Sequence, residues 1–264
     1  EINFKKSEID NLTVYNTGGF EGTIKIYSDD LLAKIFEEYL AKIIDLNIKK
    51  YKLIRLKEKP IPDHILIKPE KLIAIDGKFA GYLMPKIEDS IKIDSLSDLR
   101  KIIKVYRLLF EHLDILHQNK IIVNDIKPEN ILIDKNKTPI IIDVDSMGVD
   151  EYAPDAANLR TSISKKVRDI DSKIQKNDPQ TIDKLKLLAC FVHCLEPKNK
   201  KTERGRHHQE NKPLVNILFE SDLSLDFKKY ISNAIYTDDD LAIALKDVNK
   251  MFLKEEMKEY GRRR

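Results

Sequence analysis

Residues 121–134 read Ile-Ile-Val-Asn-Asp-Ile-Lys-Pro-Glu-Asn-Ile-Leu-Ile-Asp, and this stretch decides how the rest of the chain is interpreted. The apolar runs at its two ends predict short strands. The loop between them carries Asp125, Lys127 and Asn130. An Asp followed five residues later by an Asn is, taken alone, more typical of a turn or a cap. Together with a lysine, these side chains are of the types that phosphoryl transfer requires.

Two residues on predicted strands add to this loop. Asp143 directly follows the apolar run 140–142, so that a strand would deliver its carboxylate to the same cleft. Lys34 lies in the apolar run 31–36, where a charge that faces inward needs an anionic partner. A bound phosphate is one such partner, and the combination predicts a site for a phosphate tail and its metal ion.

The loop and its surroundings resemble the eukaryotic-type protein kinases. Residues 125–132 resemble the catalytic loop of that family, and Asp143-Val144-Asp145 takes the place of its D-F-G element at the family's spacing. Ala33-Lys34 looks like the end of the V-A-I-K element, and residues 17–24 look like the glycine-rich loop. Farther along, Asp183 leads an apolar helix, as the anchoring aspartate of the family's central helix does.

The resemblance implies a role for each matching residue. Asp125 would be the catalytic base, and Lys127 would steady the γ-phosphate of ATP. Asn130 and Asp143 would hold Mg²⁺, and Lys34 would contact the α- and β-phosphates. The other implied residues would surround the nucleotide: Gly19 and Gly22 beside the phosphates, Ile24 and Leu132 on the two faces of the adenine, and Pro85 and Ile87 at the hinge between two lobes.

Other residues depart from the family's pattern. Asn124 replaces the arginine that precedes the catalytic aspartate, so activation by phosphorylation of a loop is not expected. Asp145 stands where the family has glycine, an arrangement most like atypical bacterial kinases and aminoglycoside-phosphotransferase-like enzymes. About ten residues separate Asp143 from Ala153-Pro154-Asp155, a weak match to A-P-E, which is short for an activation segment.

The helix expected to supply a carboxylate partner for Lys34 also departs from the family. It has no Glu between Glu38 and Glu58, and Asp45 and Asn47 are its nearest polar candidates. Without a partner, Lys34 would be held less firmly, and the position of the phosphates would suffer. The favoured reading is a serine/threonine protein kinase; the alternatives are a small-molecule kinase and a pseudokinase that only binds nucleotide or partners.

The expected fold is α+β, with a small antiparallel-sheet lobe at about 1–86 and a helical lobe at about 87–264. Hydrophobic periodicity predicts strands and helices that fit this division. The predicted strands are 23–27, 31–36, 65–68, 79–84, 121–123, 131–133 and 140–142. The predicted helices are about 40–54, 96–116 with Ser95 or Ser97 as its cap, 182–195, 225–234 and 241–252, with polar loops at 160–181 and 196–213.

Composition limits the class of protein. The 264 residues include 47 Lys and Arg against 44 Asp and Glu, and this balance gives no indication of nucleic-acid binding. The only cysteines, Cys190 and Cys194, lie four apart on one predicted helix, so no disulfide framework is expected and a cytoplasmic location fits. No apolar stretch is long enough to cross a membrane, and none is expected to do so.

Overall fold

The structure is a computed structural model that describes residues 1–16, 21–155, 161, 163–196, 213–237 and 240–261. It combines a six-stranded sheet, built by the first third of the chain, with a helical region built by the rest. The predicted α+β class is therefore confirmed. Among the described residues, no helix is both long enough and apolar enough to cross a membrane.

The sheet is almost entirely antiparallel. Its order is β1 (Ile2–Phe4), β5 (Lys71–Ile75), β6 (Lys78–Pro85), β4 (Leu31–Phe36), β3 (Gly22–Ile26) and β2 (Val14–Asn16). Only the β1–β5 pair is parallel. The predicted hairpin of β3 and β4 is confirmed, and β4 lies between β3 and β6. The backbone of β4 is therefore hydrogen-bonded to a neighbouring strand on each side.

Helix α2 (Leu46–Glu58) connects β4 to β5, after the short helix α1 (Lys6–Asp10) near the start of the chain. The helix predicted from residue 40 begins later, because Asp45 caps it by accepting a hydrogen bond from the Asn47 amide at 2.8 Å. Residues 38–42 form a separate 3₁₀ turn. Asp45 is thus the N-cap of α2 and does not pair with Lys34.

The helical region is organised around α5 (Pro179–Cys194), most of whose side chains are buried. Cys190 and Cys194 are both buried in this core, and neither forms a disulfide. Helix α3 (Leu99–Gln118) packs against α5, and its cap is Asp98 and not either of the predicted serines. The other helices are α4 (Ile170–Lys176), α6 (Leu214–Glu220), α7 (Leu225–Tyr236), α8 (Leu241–Lys246) and α9 (Val248–Gly261).

Short strands hold the loops between α3 and α5. They are β7 (Ile91–Lys92), β8 (Ile121–Ile122), β9 (Ile131–Ile133), β10 (Pro139–Ile141) and β11 (Gly148–Val149). β9 pairs with both β10 and β7, and β8 pairs with β11. The three short strands predicted here are confirmed, and each precedes or follows a loop that carries polar side chains.

Three predicted elements were wrong. Residues 65–68 form no strand; Leu66 makes a single bridge to Ile141, and the strand is β5, a few residues later. The interval 160–181, predicted as loop, contains α4 and the start of α5. The last predicted helix is two helices, since the chain leaves helical geometry at Asp247.

Candidate active site

One buried carboxylate, that of Asp183, binds the backbone of the loop after β8. Asp183, near the start of α5, accepts hydrogen bonds from the backbone amides of Val123 at 2.7 Å and Asn124 at 2.9 Å. His117, at the end of α3, lies 3.1 Å from the same carboxylate. Asp183 is completely buried, so these contacts are made in a region of low dielectric, where charge-assisted hydrogen bonds are strong. The predicted anchoring role of Asp183 matches this geometry.

Asn124 takes a left-handed backbone conformation, with φ of 65°, which asparagine tolerates better than most residues. Its side-chain amide donates to the Asp155 backbone carbonyl at 3.1 Å. The backbone carbonyl of Asn124 accepts from the buried Lys186 ammonium at 2.6 Å. The chain direction therefore changes sharply just before Asp125. Asn124, which stands where the resemblance implied an arginine, ties this loop to the backbone near residue 155.

Asp125, Lys127 and Asn130 converge. The Lys127 ammonium lies 2.6 Å from Asp125 Oδ2, and Asn130 Nδ2 donates to the same oxygen and to the Asp125 carbonyl, both at 3.0 Å. Burial disfavours the charge on Lys127, but Asp125 and Asp143 outweigh burial and raise its pKa. The Lys127 ammonium is therefore stabilised electrostatically by both carboxylates.

Asp143 reaches the same region from strand β10. The Ile142 amide donates to the Asn130 carbonyl at 2.9 Å, so the residue before Asp143 is bonded directly to the loop that carries Asn130. Asp143 has a left-handed φ of 66°, and residues 144–146 then form a 3₁₀ turn. This tight curvature brings the side chains of Asp143 and Asp145 to one side of the backbone.

Lys34 on β4 lies between these two carboxylates. Its ammonium makes ion pairs with Asp143 and, at 2.6 Å, with Asp145 Oδ1. Burial opposes the charge on Lys34, but Asp145 and Asp143 outweigh burial and hold the lysine pKa well above its usual range. Burial and the nearby Asp145 raise the pKa of Asp143, because together they outweigh the effect of Lys34, which lowers it. The sequence predicted a buried lysine that needs an anionic partner, and the partners are two aspartates of one turn.

Helix α2 contributes lysines to this cluster where the resemblance implied a glutamate. Lys49 is fully buried, and its ammonium lies 2.5 Å from Glu21 Oε2, 3.1 Å from Asp145 Oδ2 and 3.3 Å from Asp155 Oδ2. Burial opposes ionisation of Asp145, but Lys34 and Lys49 outweigh it and hold the Asp145 pKa well below its usual range. The charges are therefore inverted: the helix supplies the cation, and the turn after β10 supplies the carboxylate.

Two more lysines, one in α2 and one just past its end, form ion pairs with the rest of the segment 145–155. The Lys52 ammonium lies 2.5 Å from Asp155 Oδ1, and Lys59, just past the end of α2, lies 2.5 Å from Asp150 Oδ1. Asp155, the last residue of the weak A-P-E match, thus pairs with α2. Sequence reasoning missed Lys49 and Asp145, although the absent helix glutamate and the extra aspartate were complementary signals.

Of the remaining predicted residues, Gly22, Ile24 and Pro85 lie in the six-stranded sheet, and Leu132 lies in β9. Gly22 begins β3, and a Cβ there would come 2.3 Å from the Ile35 carbonyl oxygen, so the neighbouring strand requires glycine at this position. Ile24 lies opposite Lys34 across the β3–β4 pair, and both Ile24 and Leu132 of β9 are half-buried. Pro85 ends β6 opposite Leu31, and the Ile87 carbonyl accepts from the Ser90 hydroxyl at 3.4 Å. Gly19 lies outside the described residues, and the adenine contacts stay predictions.

The donor set at Asn130 and Asp143 suits Mg²⁺. Magnesium is usually bound by one or two carboxylates together with substrate phosphates and water, so two protein ligands are enough. Asn130 Nδ2 points at Asp125, which directs its Oδ1 away from that carboxylate and leaves it suitably oriented for a cation. Within the described part of the chain, no group of three or more His, Cys, Asp or Glu side chains forms a metal site. The Asp143 carboxylate and the Asn130 amide oxygen are both oxygen ligands of the kind that Mg²⁺ takes.

The chemistry of the site follows from this geometry. The Asp125 carboxylate lies beside the Lys127 ammonium and the Asn130 amide. Asp143, at the end of β10, adds a second carboxylate, which pairs with the Lys34 ammonium of β4. Neither a comparison with protein-family models nor one with curated proteins finds a match to this chain. The functional argument therefore rests on the side chains themselves.

Proposed function

We propose that the protein is a kinase-like enzyme that transfers the γ-phosphoryl group of ATP to a hydroxyl group with the help of Mg²⁺. The observation that carries the proposal is a set of side-chain and backbone contacts that links five residues. It runs from Asp125 through Lys127 and Asn130, and from the Asn130 backbone carbonyl through the Ile142 amide to Asp143 and Lys34. These residues come from two regions of the chain that are far apart in sequence, and they include carboxylates and lysines of the kinds that the reaction uses.

Each residue then has a task that its contacts allow. Asp125 accepts the proton of the acceptor hydroxyl; Lys127 and Asn130 both contact its Oδ2, and neither contacts its Oδ1. Lys127, beside it, neutralises charge on the transferred phosphoryl group. Asn130 and Asp143 would hold Mg²⁺, which draws charge from the β- and γ-phosphates, and Lys34 would hold the α- and β-phosphates. Catalysis of this kind depends on position and charge and needs little covalent chemistry from the protein.

The favoured acceptor is a serine or threonine of a protein, as the catalytic loop suggests. A hydroxylated small molecule is the second candidate, because the segment 145–155 is fastened to α2 by ion pairs of Lys49, Lys52 and Lys59. A segment held in this way has less freedom to form a docking platform for an extended peptide.

Transfer of label from γ-labelled ATP tests the proposal. The unmodified chain should label a mixed protein acceptor or itself in the presence of Mg²⁺, and Asp125→Asn should reduce the rate by at least about a hundredfold, the usual contribution of a general base. Glu129→Gln is the matched control, because Glu129 lies exposed in the same loop, and that variant should keep its activity. A panel of hydroxylated metabolites, run in parallel, separates the two acceptor classes.

Binding separates an enzyme from a protein that only holds nucleotide. ATP should raise the melting temperature of the unmodified chain only when Mg²⁺ is present, and Asp143→Asn should lose this dependence on Mg²⁺. Nucleotide binding without any labelling of protein or metabolite would favour the pseudokinase alternative. Labelling that persists in Asp125→Asn would show that Asp125 is not the base.

A further inference from the structure

Asp145 is shared between two buried lysines. Its Oδ1 lies 2.6 Å from the Lys34 ammonium, and its Oδ2 lies 3.1 Å from the Lys49 ammonium. The Tyr82 hydroxyl, on the strand beside β4, donates to Oδ1 at 3.3 Å. The Asp145 side chain is only 1% exposed, so both oxygens are committed to contacts inside the protein.

Asp143, the other partner of Lys34, is placed differently. Its side chain is 36% exposed, and it would be a ligand of Mg²⁺ in the proposed reaction. A carboxylate that binds the metal cannot give its full charge to a lysine at the same time. Lys34 therefore needs a second anion that stays in place when Asp143 turns to the metal, and Asp145 is suitably placed on its buried side.

We propose that Asp145 is the positioning residue for Lys34, and that Lys49 holds Asp145 in place from helix α2. In this arrangement, the turn after β10 performs the task that a carboxylate of the helix would otherwise perform. The inference rests on the proposed function, because it gives Lys34 the task of holding the phosphates of ATP. Asp145 itself touches neither the nucleotide nor the acceptor.

A purely structural role for Asp145 makes a different prediction. Asp145→Asn takes a carboxylate from two buried lysines, which destabilises the protein whether or not Lys34 has a function. Adding Lys49→Met and Glu21→Gln removes the second lysine together with the carboxylate that lies 2.5 Å from it, so this triple variant should recover stability. It does not give Lys34 a carboxylate, so a positioning role predicts that nucleotide binding stays weak.

The experiment measures the melting temperature and the Kd for ATP with Mg²⁺ on the same four proteins by calorimetry. The proteins are the unmodified chain, Asp145→Asn, the triple variant Asp145→Asn with Lys49→Met and Glu21→Gln, and the control Asp150→Asn. Asp150 is a matched control because it lies on the same segment, pairs with Lys59 at 2.5 Å and has a left-handed φ of 54° that asparagine tolerates. The control loses the same charge from an ion pair that does not touch Lys34.

The expected result separates the two measurements. Asp145→Asn should lower the melting temperature and raise the Kd about tenfold, the factor that one lost charge-assisted hydrogen bond produces. The triple variant should regain most of the melting temperature and keep the raised Kd, and Asp150→Asn should bind ATP as the unmodified chain does. If Asp145→Asn does not fold, the triple variant carries the comparison.

Two other results would overturn the inference in distinguishable ways. If the triple variant recovers its Kd together with its melting temperature, or if Asp145→Asn binds ATP within about twofold of the unmodified chain, Asp145 does not position Lys34. If the unmodified chain binds no ATP with or without Mg²⁺, the proposed function fails, and the inference fails with it.

Discussion

Replacement of Asp183 by asparagine should destabilise the protein strongly, although the two side chains have nearly the same shape. Asp183 is completely buried and accepts from the Val123 and Asn124 amides at 2.7 and 2.9 Å, with His117 at 3.1 Å. An asparagine keeps one acceptor oxygen and turns an NH₂ group toward the other donors. The retained hydrogen bond would lose its charge, at about 1 kcal/mol, and one buried donor would lose its acceptor, at about 1–3 kcal/mol. The expected loss in the free energy of unfolding is therefore about 2–4 kcal/mol.

Urea denaturation, followed by circular dichroism, measures this loss against a control on the same helix. Asp178 caps α5 by accepting from the Gln180 and Thr181 amides, both at 3.0 Å, but it is exposed to solvent. Asparagine is nearly as good a cap as aspartate, so Asp178→Asn should cost less than about 1 kcal/mol. Because Asp183 also fixes the residues before Asp125, Asp183→Asn should slow phosphoryl transfer as well. Equal losses of stability in the two variants would refute the argument that Asp183 anchors the loop.

Two further predictions concern stability. Burial lowers the pKa of His112 to about 4. As the pH falls from about 6.5 to about 4, the unfolded chain takes up a proton that the folded chain excludes, so stability should fall by up to about 3 kcal/mol, and His112→Leu should remove this limb of a pH–stability curve. A Cβ at Gly81 would lie 2.0 Å from the Lys34 carbonyl oxygen, so Gly81→Ala should shift β4 and cost more than about 2 kcal/mol in denaturation, with weaker ATP binding. Gly261→Ala, where a Cβ would meet nothing within 4 Å, is its control, and losses of similar size in both variants would contradict the prediction.

Local pattern was sufficient for much of the fold. The β3–β4 hairpin, β6, α3 and the buried α5 follow from alternation or helical spacing of apolar residues, and each is present. Position along the sheet was harder to predict. Residues 65–68 have the β-branched composition of a strand, yet they make only one bridge to Ile141, whereas β5 pairs with both β1 and β6. Which of two apolar runs joins a sheet is decided by tertiary pairing, which composition does not contain.

The candidate site shows the same limit in its charges. The loop from Asp125 to Asn130 could be predicted because its residues are close in sequence and their contacts are local. The partner of Lys34 could not be predicted in the same way, because the resemblance implied a glutamate on the helix before β5. Lysines such as Lys49 are ordinarily solvated, so a lysine on that helix gave no signal until the fold placed it 3.1 Å from Asp145.

The inverted charges bear on how the site is assembled. A lysine of the sheet and a carboxylate of the segment after β10 are joined directly, and lysines within α2 and just past its end add pairs to Asp145, Asp150 and Asp155. Outward movement of α2 would separate several of these pairs at once, and those of Lys49 are buried, where breaking a pair is costly. Asn124 meanwhile donates from its side chain to the Asp155 backbone carbonyl, which adds a contact between the loop before Asp125 and the end of the same segment. In this chain, therefore, α2, the sheet and the segment after β10 are joined by one connected set of buried ion pairs.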